Sequence, residues 1–241
     1  MKIDCFILAA GESNRMFPLN QIMEKSLLPV AGRPVVRHII ENLTQPEVAK
    51  HLRKITICCL SKFKKQFEHE FRDMPSLKIQ TFQYPVGTAA TLYEAANGSA
   101  SSEWVMVHYA DCMLDLDYDK LISTLEFADS KTHGIIAVTG KVKHDYSEVT
   151  VIGKSHGLGR VAVFKEKPEI SSLTWTGVAL FRIRKMMEHY IGLPQSDIAM
   201  DVFPQMIEET ALKAHVFDGY WYDVGNLNSY RKVCSLYDGE K

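Results

Sequence analysis

Short apolar runs separated by amphipathic segments dominate the first half of the chain. The runs Ile3–Leu8, Ile55–Leu60 and Trp104–His108 are almost wholly apolar, which is typical of buried strands in a parallel sheet. Segments with helical spacing lie between such runs, among them Lys62–Arg72 and Thr88–Ala96. This regular succession of strand and helix predicts an α/β fold with a mostly parallel central sheet and helices on both faces.

The rhythm changes near residue 134, where strand-like runs follow one another with few helices between them. These runs are Ile135–Thr139, Glu148–Ile152, Arg160–Lys165 and Thr174–Phe181. Helical spacing returns in the segments Ile183–Tyr190, Met200–Thr210 and Leu227–Leu236. Because no linker or repeat separates the two patterns, we predict a single domain, 1–241. Its nucleotide-binding half would be 1–130 and its substrate half 131–241.

The composition excludes several classes of protein. Lys and Arg together number 28 against 29 Asp and Glu, so the balance of charge argues against a protein that coats nucleic acid. No apolar stretch approaches the length of a membrane span, and no signal segment is evident, so we expect a cytoplasmic protein without a membrane partner. The five cysteines lack CxxC spacing, so a structural zinc site is not expected, and a disulfide framework still less.

The stretch "AAGESNRM", directly after the first predicted strand, is the first candidate for chemistry. Gly11, Ser13 and Asn14 allow a turn whose backbone N–H groups face an anion, and Arg15 and Lys25 add positive charge. The spacing is neither that of a Walker loop nor that of a dinucleotide-binding fingerprint. By itself the stretch fits a surface turn with solvated cations equally well. A short extended run is expected after it, at residues 27–30.

Three further candidates lie downstream. Asp111 ends the strand "WVMVHYAD", where a carboxylate is well placed to hold a divalent cation, although a lone Asp there is more often a cap. The acidic residues that follow it are assigned to the cap and exposed face of the next helix. The stretches "VFKEKP" and "GYWYDVGN" contain Glu166 and Asp223. Taken singly, each fits a solvated strand end or a turn.

The order of these motifs resembles that of the sugar-1-phosphate nucleotidyltransferase family, also known as NDP-sugar pyrophosphorylases. The matching segments are "LAAGESNRMFPLNQIMEKSLLPVAGRP", "QYPVGTAATL", "AD", "GRVAVFKEKP", "WTGVALF" and "GYWYDVGNLNSY". They run from residue 3 to about residue 233. The resemblance is to the short, single-domain members, so we expect the Rossmann-like fold of the family and neither a C-terminal β-helix nor an acyltransferase activity.

The resemblance implies a Mg²⁺-dependent enzyme whose substrates are a nucleoside triphosphate and a sugar 1-phosphate. The donor would be UTP, dTTP or GTP, the products an NDP-sugar and pyrophosphate, and the enzyme a possible homo-oligomer. Two alternatives stay open. One is a cytidylyltransferase acting on a non-sugar phosphate such as phosphocholine or an inositol phosphate. The other is a non-catalytic regulatory subunit that binds a nucleotide sugar.

The resemblance also assigns roles to five charged residues. Asp111 and Asp223 would hold Mg²⁺ between the phosphates. Arg15 would hold the β- and γ-phosphates, Lys25 the α-phosphate and the leaving group, and Lys167 the phosphate of the sugar. Bringing two polyanions together is the main obstacle to this reaction, and positive charge at fixed positions removes it.

Binding residues follow from the same matches. Those implied for the nucleotide are Leu8, Ala9, Gly11, Ser13, Asn14, Gln83, Gly87 and Thr88. Those implied for the sugar are Tyr146, Glu166 and Gly177. The amide of Gln83 would recognise the base, since it offers both a hydrogen-bond donor and an acceptor. Gly87 would permit close approach, and Gly177 would leave room for the sugar ring.

The chain departs from the family pattern at a few positions. Ser13 replaces a glycine and Asn14 a threonine, and both keep the backbone N–H donor. Glu24 replaces a proline and adds a negative charge beside Lys25, which costs little if its side chain points outward. Ala110 replaces the glycine before the metal-binding aspartate. None of these changes removes a charged group that the transfer requires.

Overall fold

A nine-stranded sheet forms the centre of the molecule. The computed structural model describes residues 1–140, 148–165, 173–190, 192 and 195–237. Within these ranges the strands are β1 (Ile3–Ala9), β2 (Pro29–Val30), β3 (Arg33–Pro34), β4 (Leu52–Leu60), β5 (Lys78–Phe82), β6 (Trp104–Tyr109), β7 (Cys112–Leu114), β8 (Gly134–Thr139), β9 (Glu148–Ser155), β10 (Leu158–Lys165), β11 (Thr174–Arg182), β12 (Leu212–Val216) and β13 (Trp221–Asp223).

The helices are short and connect or flank these strands. They are α1 (Val35–Leu43), α2 (Pro46–Ala49), α3 (Lys64–Glu70), α4 (Thr88–Ala96), α5 (Tyr118–Ser123), α6 (Ile183–His189), α7 (Phe203–Glu208) and α8 (Leu227–Leu236). The longest of those in the described ranges, α8, has 10 residues. Across the described residues, no helix has the length and apolar character needed to cross a bilayer.

The order of strands in the main sheet is β5-β4-β1-β6-β11-β8-β12-β10-β9. The four strands β5, β4, β1 and β6 are mutually parallel, and β11 lies antiparallel between β6 and β8. Of the nine strands described in this sheet, only β10 and β11 run against the others. The structure therefore confirms the predicted α/β class with a mostly parallel central sheet.

Burial explains why the sequence of the first half was informative. Every residue of β1 is buried, because β1 lies between β4 and β6 and is covered on both faces. Such a strand is expected to be almost wholly apolar rather than alternating, as β1 is apart from Asp4. β5, at the edge of the sheet, leaves Lys78 and Thr81 exposed, as expected for a strand with one open side.

Several predicted elements have different boundaries in the structure, and two of these differences have a clear cause. The predicted helix Met200–Thr210 begins instead with a π-helical turn, Ile198–Val202, which continues into α7. The turn starts early because the Asp197 carboxylate accepts hydrogen bonds from the N–H groups of Ala199 and Met200. This cap lies outside the apolar periodicity on which the prediction rested.

The expected extended run at residues 27–30 is also shorter than predicted. Residues Lys25–Leu27 form a 3₁₀ turn, and β2 covers only Pro29–Val30. The turn forms because the Glu24 carboxylate accepts a hydrogen bond of 2.7 Å from the Ser26 N–H group.

Four strands were not predicted: β3, β7, β12 and β13. β12 pairs with β8 and β10 and completes the main sheet, while β7 and β13 form a separate two-stranded ribbon. β7 and β13 have three residues each, and β12 has five. Segments this short take their conformation from partners distant in sequence, so their own pattern carries little signal.

Candidate active site

A cavity of about 560 Å³ opens at the carboxyl ends of β1 and β6. This is the position at which open α/β sheets bind ligands, because the loops that follow parallel strands meet there. Ten of the sixteen predicted site residues line it. They are Leu8, Ala9, Gly11, Arg15, Lys25, Gly87, Thr88, Asp111, Gly177 and Asp223.

The ribbon of β7 and β13 brings the two predicted metal-binding carboxylates together. Asp111 directly precedes β7, and Asp223 ends β13 in register with Cys112. The backbone closes the arrangement, since the Val224 N–H group donates to the Asp111 carbonyl at 2.9 Å. Carboxylate oxygens of Asp111 and Asp223 and the Cys112 sulfur lie within 4.8 Å of one another. Residues 112 apart in sequence thus form one site.

Lys25 forms an ion pair with Asp111 inside the cavity. The side chains are only 17% and 12% exposed, so water screens the pair weakly. Burial alone would lower the pKa of Lys25, but the neighbouring Asp111 carboxylate raises that pKa above its usual range. Burial alone would raise the pKa of Asp111, and the Lys25 ammonium lowers it instead. Both groups are therefore charged at neutral pH.

Asp223 is the less compensated carboxylate of the two. Burial and the nearby Asp111 charge raise the pKa of Asp223 to about 7, against the opposing influence of Lys25 and Arg15. Two carboxylates this close repel each other unless a cation lies between them. Oxygen ligands of this kind are those that Mg²⁺ prefers, so the residues fit a magnesium ion. Burial raises the pKa of the Cys112 thiol well above its usual value, which keeps it protonated and unsuited to bind one.

Arg15 reaches the same cluster from the loop that follows β1. An added Cβ on Gly225 would lie 2.6 Å from an Asp223 carboxylate oxygen and 3.2 Å from a guanidinium nitrogen of Arg15. Only a residue without a side chain leaves the space in which these two groups approach. Arg15 is itself exposed, so its guanidinium stands at the mouth of the cavity.

One residue of the loop that follows β1 has a left-handed backbone conformation. Ser13, which stands where the family pattern has glycine, has φ +55° and precedes a 3₁₀ turn, Asn14–Met16. A non-glycine residue in this conformation costs roughly 1–2 kcal/mol. The Asn14 amide donates to the Glu12 carboxylate at 2.5 Å. Ser13 and Asn14 are outside the cavity lining, although they shape the loop that carries Arg15.

Glu24 points into the protein. The outward orientation, with which its replacement of a proline would cost little, is therefore wrong. The residue is 1% exposed, and one carboxylate oxygen accepts hydrogen bonds from the Ser26 N–H and hydroxyl groups. Its other oxygen has no hydrogen-bond partner among the described residues. Burial raises the pKa of Glu24 to about 7, which reduces the negative charge that it places beside Lys25.

The start of α4 is held against the segment that precedes α7. Gly87 has φ +88°, and a Cβ there would lie 2.2 Å from the Ser196 carbonyl oxygen. Gly87 therefore admits the protein's own backbone at this point. The Thr88 hydroxyl donates to the Asp197 carboxylate at 2.8 Å and accepts from the Ile198 N–H group at 2.9 Å. Both Thr88 and Asp197 still line the cavity.

Gly177 lies in a bulge of β11 on the opposite wall. Its φ is +80°, and an added Cβ would lie 2.9 Å from the Cβ of Tyr109 and 3.1 Å from the Cys112 sulfur. The pairing with β8 shifts register between Trp175 and Ala179, on either side of Gly177. Gly177 thus lets β11 approach the end of β6 closely, in addition to facing the cavity.

Three predicted residues within the described ranges do not line the cavity: Ser13, Asn14 and Gln83. Gln83 is exposed to solvent. Tyr146, Glu166 and Lys167 lie outside the described residues.

Several cavity residues had no assigned role in the sequence analysis. They include Glu12, Pro85, Thr91, Tyr109, Trp175, Gln195, Asp197 and Trp221. Tyr109 and Trp175 form an edge-on aromatic pair with ring centroids 5.0 Å apart. Trp175 and Trp221 do lie inside matched motifs, so their positions were available in the sequence. Gln195 and Asp197 fall between motifs, where no such signal existed.

Comparison with known proteins gives a consistent picture. The family model described as "Nucleotidyl transferase" matches residues 5–239 of the chain. The protein "Probable mannose-1-phosphate guanylyltransferase 3" of Oryza sativa subsp. japonica is 28% identical over 236 residues, covering 96% of this chain and 63% of the relative. "Mannose-1-phosphate guanylyltransferase catalytic subunit beta" of Danio rerio is 26% identical over 239 residues, with the same coverage.

The chain therefore spans less than two thirds of the length of these curated relatives. Among solved structures, a UDP-glucose pyrophosphorylase complexed with UDP-glucose superimposes with a TM-score of 0.78 at 17% identity. The superposition covers 98% of each chain. At this identity the superposition shows a shared fold alone.

Proposed function

Because the chain belongs to the nucleotidyl transferase family, we propose that it is an enzyme that transfers a nucleotidyl group from a nucleoside triphosphate to a sugar 1-phosphate. The products would be an NDP-sugar and pyrophosphate. The observation that carries this proposal is the convergence of Asp111, Asp223, Lys25 and Arg15 on one cavity. Its volume of about 560 Å³ suits small-molecule substrates.

In the proposed reaction an oxygen of the sugar phosphate attacks the α-phosphorus of the triphosphate. The bond from that phosphorus to the bridging oxygen of pyrophosphate breaks on the opposite side. The attacking oxygen is already anionic, so no side chain has to remove a proton. Catalysis then depends on alignment of the reactants and on compensation of their negative charge.

Asp111 and Asp223 would hold Mg²⁺ at the cavity. When bound, the ion supplies positive charge to the phosphate oxygens and draws electron density from the α-phosphorus. The two carboxylates support this assignment because they are close, largely buried and mutually repulsive. Gly225 preserves the space that the carboxylate of Asp223 requires.

Lys25 and Arg15 would supply the remaining positive charge. The Lys25 ammonium has three donors, and its ion pair with Asp111 uses one, which leaves donors for the α-phosphate and the departing pyrophosphate. Arg15 stands at the cavity mouth, where a planar guanidinium can bind the β- and γ-phosphates. Lys167 would hold the sugar phosphate, and Glu166 and Tyr146 would contact the sugar.

The two halves of the chain would divide the substrates between them. Residues 1–130 supply the parallel strands β5, β4, β1 and β6, and we assign the nucleotide to this side, near Ala9 and Gly11. Residues 131–241 supply the remaining strands of the main sheet, and we assign the sugar to that side, near Gly177.

GTP is the donor that we propose first, because two relatives at 26–28% identity are named mannose-1-phosphate guanylyltransferases. UTP and dTTP are the alternatives that the Gln83 segment permits. A hexose 1-phosphate is the proposed acceptor. We further propose that the enzyme works in the cytoplasm as a homo-oligomer, without a nucleic-acid or membrane partner.

The test is pyrophosphate release from each of the four NTPs and dTTP, paired with a panel of sugar 1-phosphates, with Mg²⁺ and with a chelator. We expect release with at least one sugar 1-phosphate and none with the chelator. Absence of release from every pair would favour a regulatory subunit that only binds nucleotide sugar. Release confined to CTP with phosphocholine or an inositol phosphate would favour the cytidylyltransferase.

A further inference from the structure

A second cluster of metal-ligating side chains lies away from the cavity. It consists of His133, His189 and Glu209, and we refer to it as the histidine cluster. His133 directly precedes β8, His189 ends α6, and Glu209 directly follows α7. None of the three lines the cavity, and the proposed reaction uses none of them.

The distances within the histidine cluster are those between ligands of one ion. The His133 Nδ1 and His189 Nε2 atoms are 3.1 Å apart, and the Glu209 carboxylate oxygen is 3.6 Å from each. Ligands about 2.0–2.1 Å from a tetrahedral Zn²⁺ lie about 3.3 Å from one another. At 3.6 Å, in contrast, Glu209 is too far from either ring nitrogen for an ordinary hydrogen bond.

Hydrogen bonds fix the main chain at the three residues before any ion binds. The His133 N–H group donates to the Ala211 carbonyl at 2.8 Å, and its carbonyl accepts from Arg182 at 2.9 Å. The His189 carbonyl accepts from the Gln205 amide at 3.0 Å, and the Glu209 N–H group donates to the Gln205 carbonyl at 3.1 Å. The main chain that carries the ligands is thus fixed in advance, which lowers the cost of binding.

Burial and exposure also suit a metal site. The side chains of His133 and His189 are 14% and 5% exposed, whereas that of Glu209 is 55% exposed. An ion can therefore enter from the Glu209 side, and a water molecule can complete a tetrahedron there. Two imidazoles and one carboxylate form a donor set that selects zinc and similar late first-row divalent ions over Mg²⁺.

We propose that His133, His189 and Glu209 bind a Zn²⁺-type divalent cation, at a site separate from the cavity. The ion would connect the start of β8 with the ends of α6 and α7 and so stabilise the half of the sheet that we assign to the sugar. An ion that binds the folded chain and not the unfolded chain raises the melting temperature.

The test uses the full chain, stripped of metal and kept in excess Mg²⁺, which would occupy the cavity carboxylates. Titration with Co²⁺, followed by visible absorption, should show one tetrahedrally bound equivalent, and Zn²⁺ should displace it. The exposed variant Glu209→Gln should bind at least tenfold more weakly. Glu208→Gln, which removes the adjacent exposed carboxylate, is the matched control and should bind normally.

A second measurement covers the buried ligands. Zn²⁺ should raise the melting temperature of the wild-type protein and of Glu208→Gln, with little effect on Glu209→Gln or His133→Ala. If the wild type shows no tetrahedral Co²⁺ absorption, or if Glu209→Gln binds as tightly as Glu208→Gln, the proposal is wrong. The two histidines would then be a hydrogen-bonded pair alone. None of these outcomes bears on pyrophosphate release.

Discussion

Two polar clusters lie at opposite ends of the strands of the main sheet. Asp111 and Asp223 lie beyond the carboxyl end of β6, whereas His133 precedes the amino end of β8, which runs in the same direction as β6. The first cluster faces a cavity of about 560 Å³, and the second does not line it. Each cluster consists of three side chains whose potential ligand atoms lie within 4.8 Å of one another, so proximity alone does not distinguish their roles.

The difference lies in their charge. At the cavity, two carboxylates share one paired lysine, and burial with mutual repulsion raises the pKa of Asp223 to about 7. The cavity site is therefore electrostatically incomplete until further positive charge arrives. At the histidine cluster, burial lowers the pKa of both His133 and His189, so their rings are neutral at pH 7. We therefore expect the further positive charge at the cavity to arrive with the substrate. At the histidine cluster we expect an ion that stays bound.

The largest expected effect separates the clusters by activity. Asp111→Asn should lower the rate of pyrophosphate release by about 10³-fold or more, because it removes a ligand of the proposed Mg²⁺. The melting temperature should change by only a few degrees. Asn keeps the shape of Asp, and although the ion pair with Lys25 is lost, the repulsion of Asp223 is relieved and the Asp223 carboxylate remains near the Lys25 ammonium. Steady-state kinetics and thermal denaturation measure the two quantities.

The matched comparison for this variant is Glu209→Gln, in the histidine cluster at the opposite end of the strands. Its rate of pyrophosphate release should stay within about twofold of the wild type. Unfolding of Asp111→Asn at the assay temperature would instead support a structural role for Asp111, as a cap of the turn that follows β6.

The next effect concerns the cation paired with Asp111. Lys25→Met should lower the turnover number by about 10²–10³-fold, the range found when one charge-stabilising donor is removed from a reaction centre. The effect should fall mainly on turnover and less on KM, because the leaving pyrophosphate gains charge as the bond breaks. A loss confined to KM would contradict a role for Lys25 in the transition state.

A pH series sharpens the contrast between the two clusters. Since only ionised Asp223 binds a cation well, the apparent affinity for Mg²⁺ should fall as pH drops through about 7, up to tenfold per unit below it. Affinity of the histidine cluster for Zn²⁺ should stay level between pH 8 and 7, because burial lowers the pKa of its rings. Calorimetric titrations at four pH values measure both. A level Mg²⁺ affinity from pH 8 to 6 would contradict this account of Asp223.

Most of the fold could be predicted from the sequence because interior parallel strands are recognisable as apolar runs. β1, β4 and β6 each contain a largely apolar run, and α4 and α8 have the boundaries predicted from their periodicity. β12 and the ribbon of β7 and β13 were missed, since strands of three to five residues are defined by distant partners. The ribbon places Asp223 beside Asp111. Because the ribbon was not predicted, only the family resemblance indicated that these two residues lie together.

The predicted charged residues in matched motifs line one cavity where the structure describes them, whereas residues that only tertiary contact brings together were not predicted. Asp111, Asp223, Lys25 and Arg15 lie in matched motifs and meet at the cavity, as expected. The histidine cluster has no motif, because its two histidines are 56 residues apart on separate elements. Periodicity and local spacing do not reveal such a cluster. The orientation of a single side chain is equally invisible in sequence.

Glu24 is such a side chain, and it gives the smallest and most specific prediction. Burial raises its pKa from about 4.5 to about 7, so the folded chain binds a proton there that the unfolded chain releases. The free energy of unfolding therefore falls as pH rises from about 4.5 to 7, and the loss persists above pH 7. Glu24→Gln carries no such charge, while its amide oxygen can still accept from Ser26.

We expect Glu24→Gln to be more stable than the wild type at pH 8 by about 1–3 kcal/mol, a rise of a few degrees in melting temperature. The difference should shrink toward pH 5, where Glu24 is protonated in the wild type too. Thermal denaturation at pH 5, 6.5 and 8 measures it, with Glu208→Gln, an exposed carboxylate, as the control without pH-dependent gain. A constant difference across this range would mean that the buried charge of Glu24 is compensated in the folded protein. Glu24 would then resemble the paired Asp111 rather than Asp223.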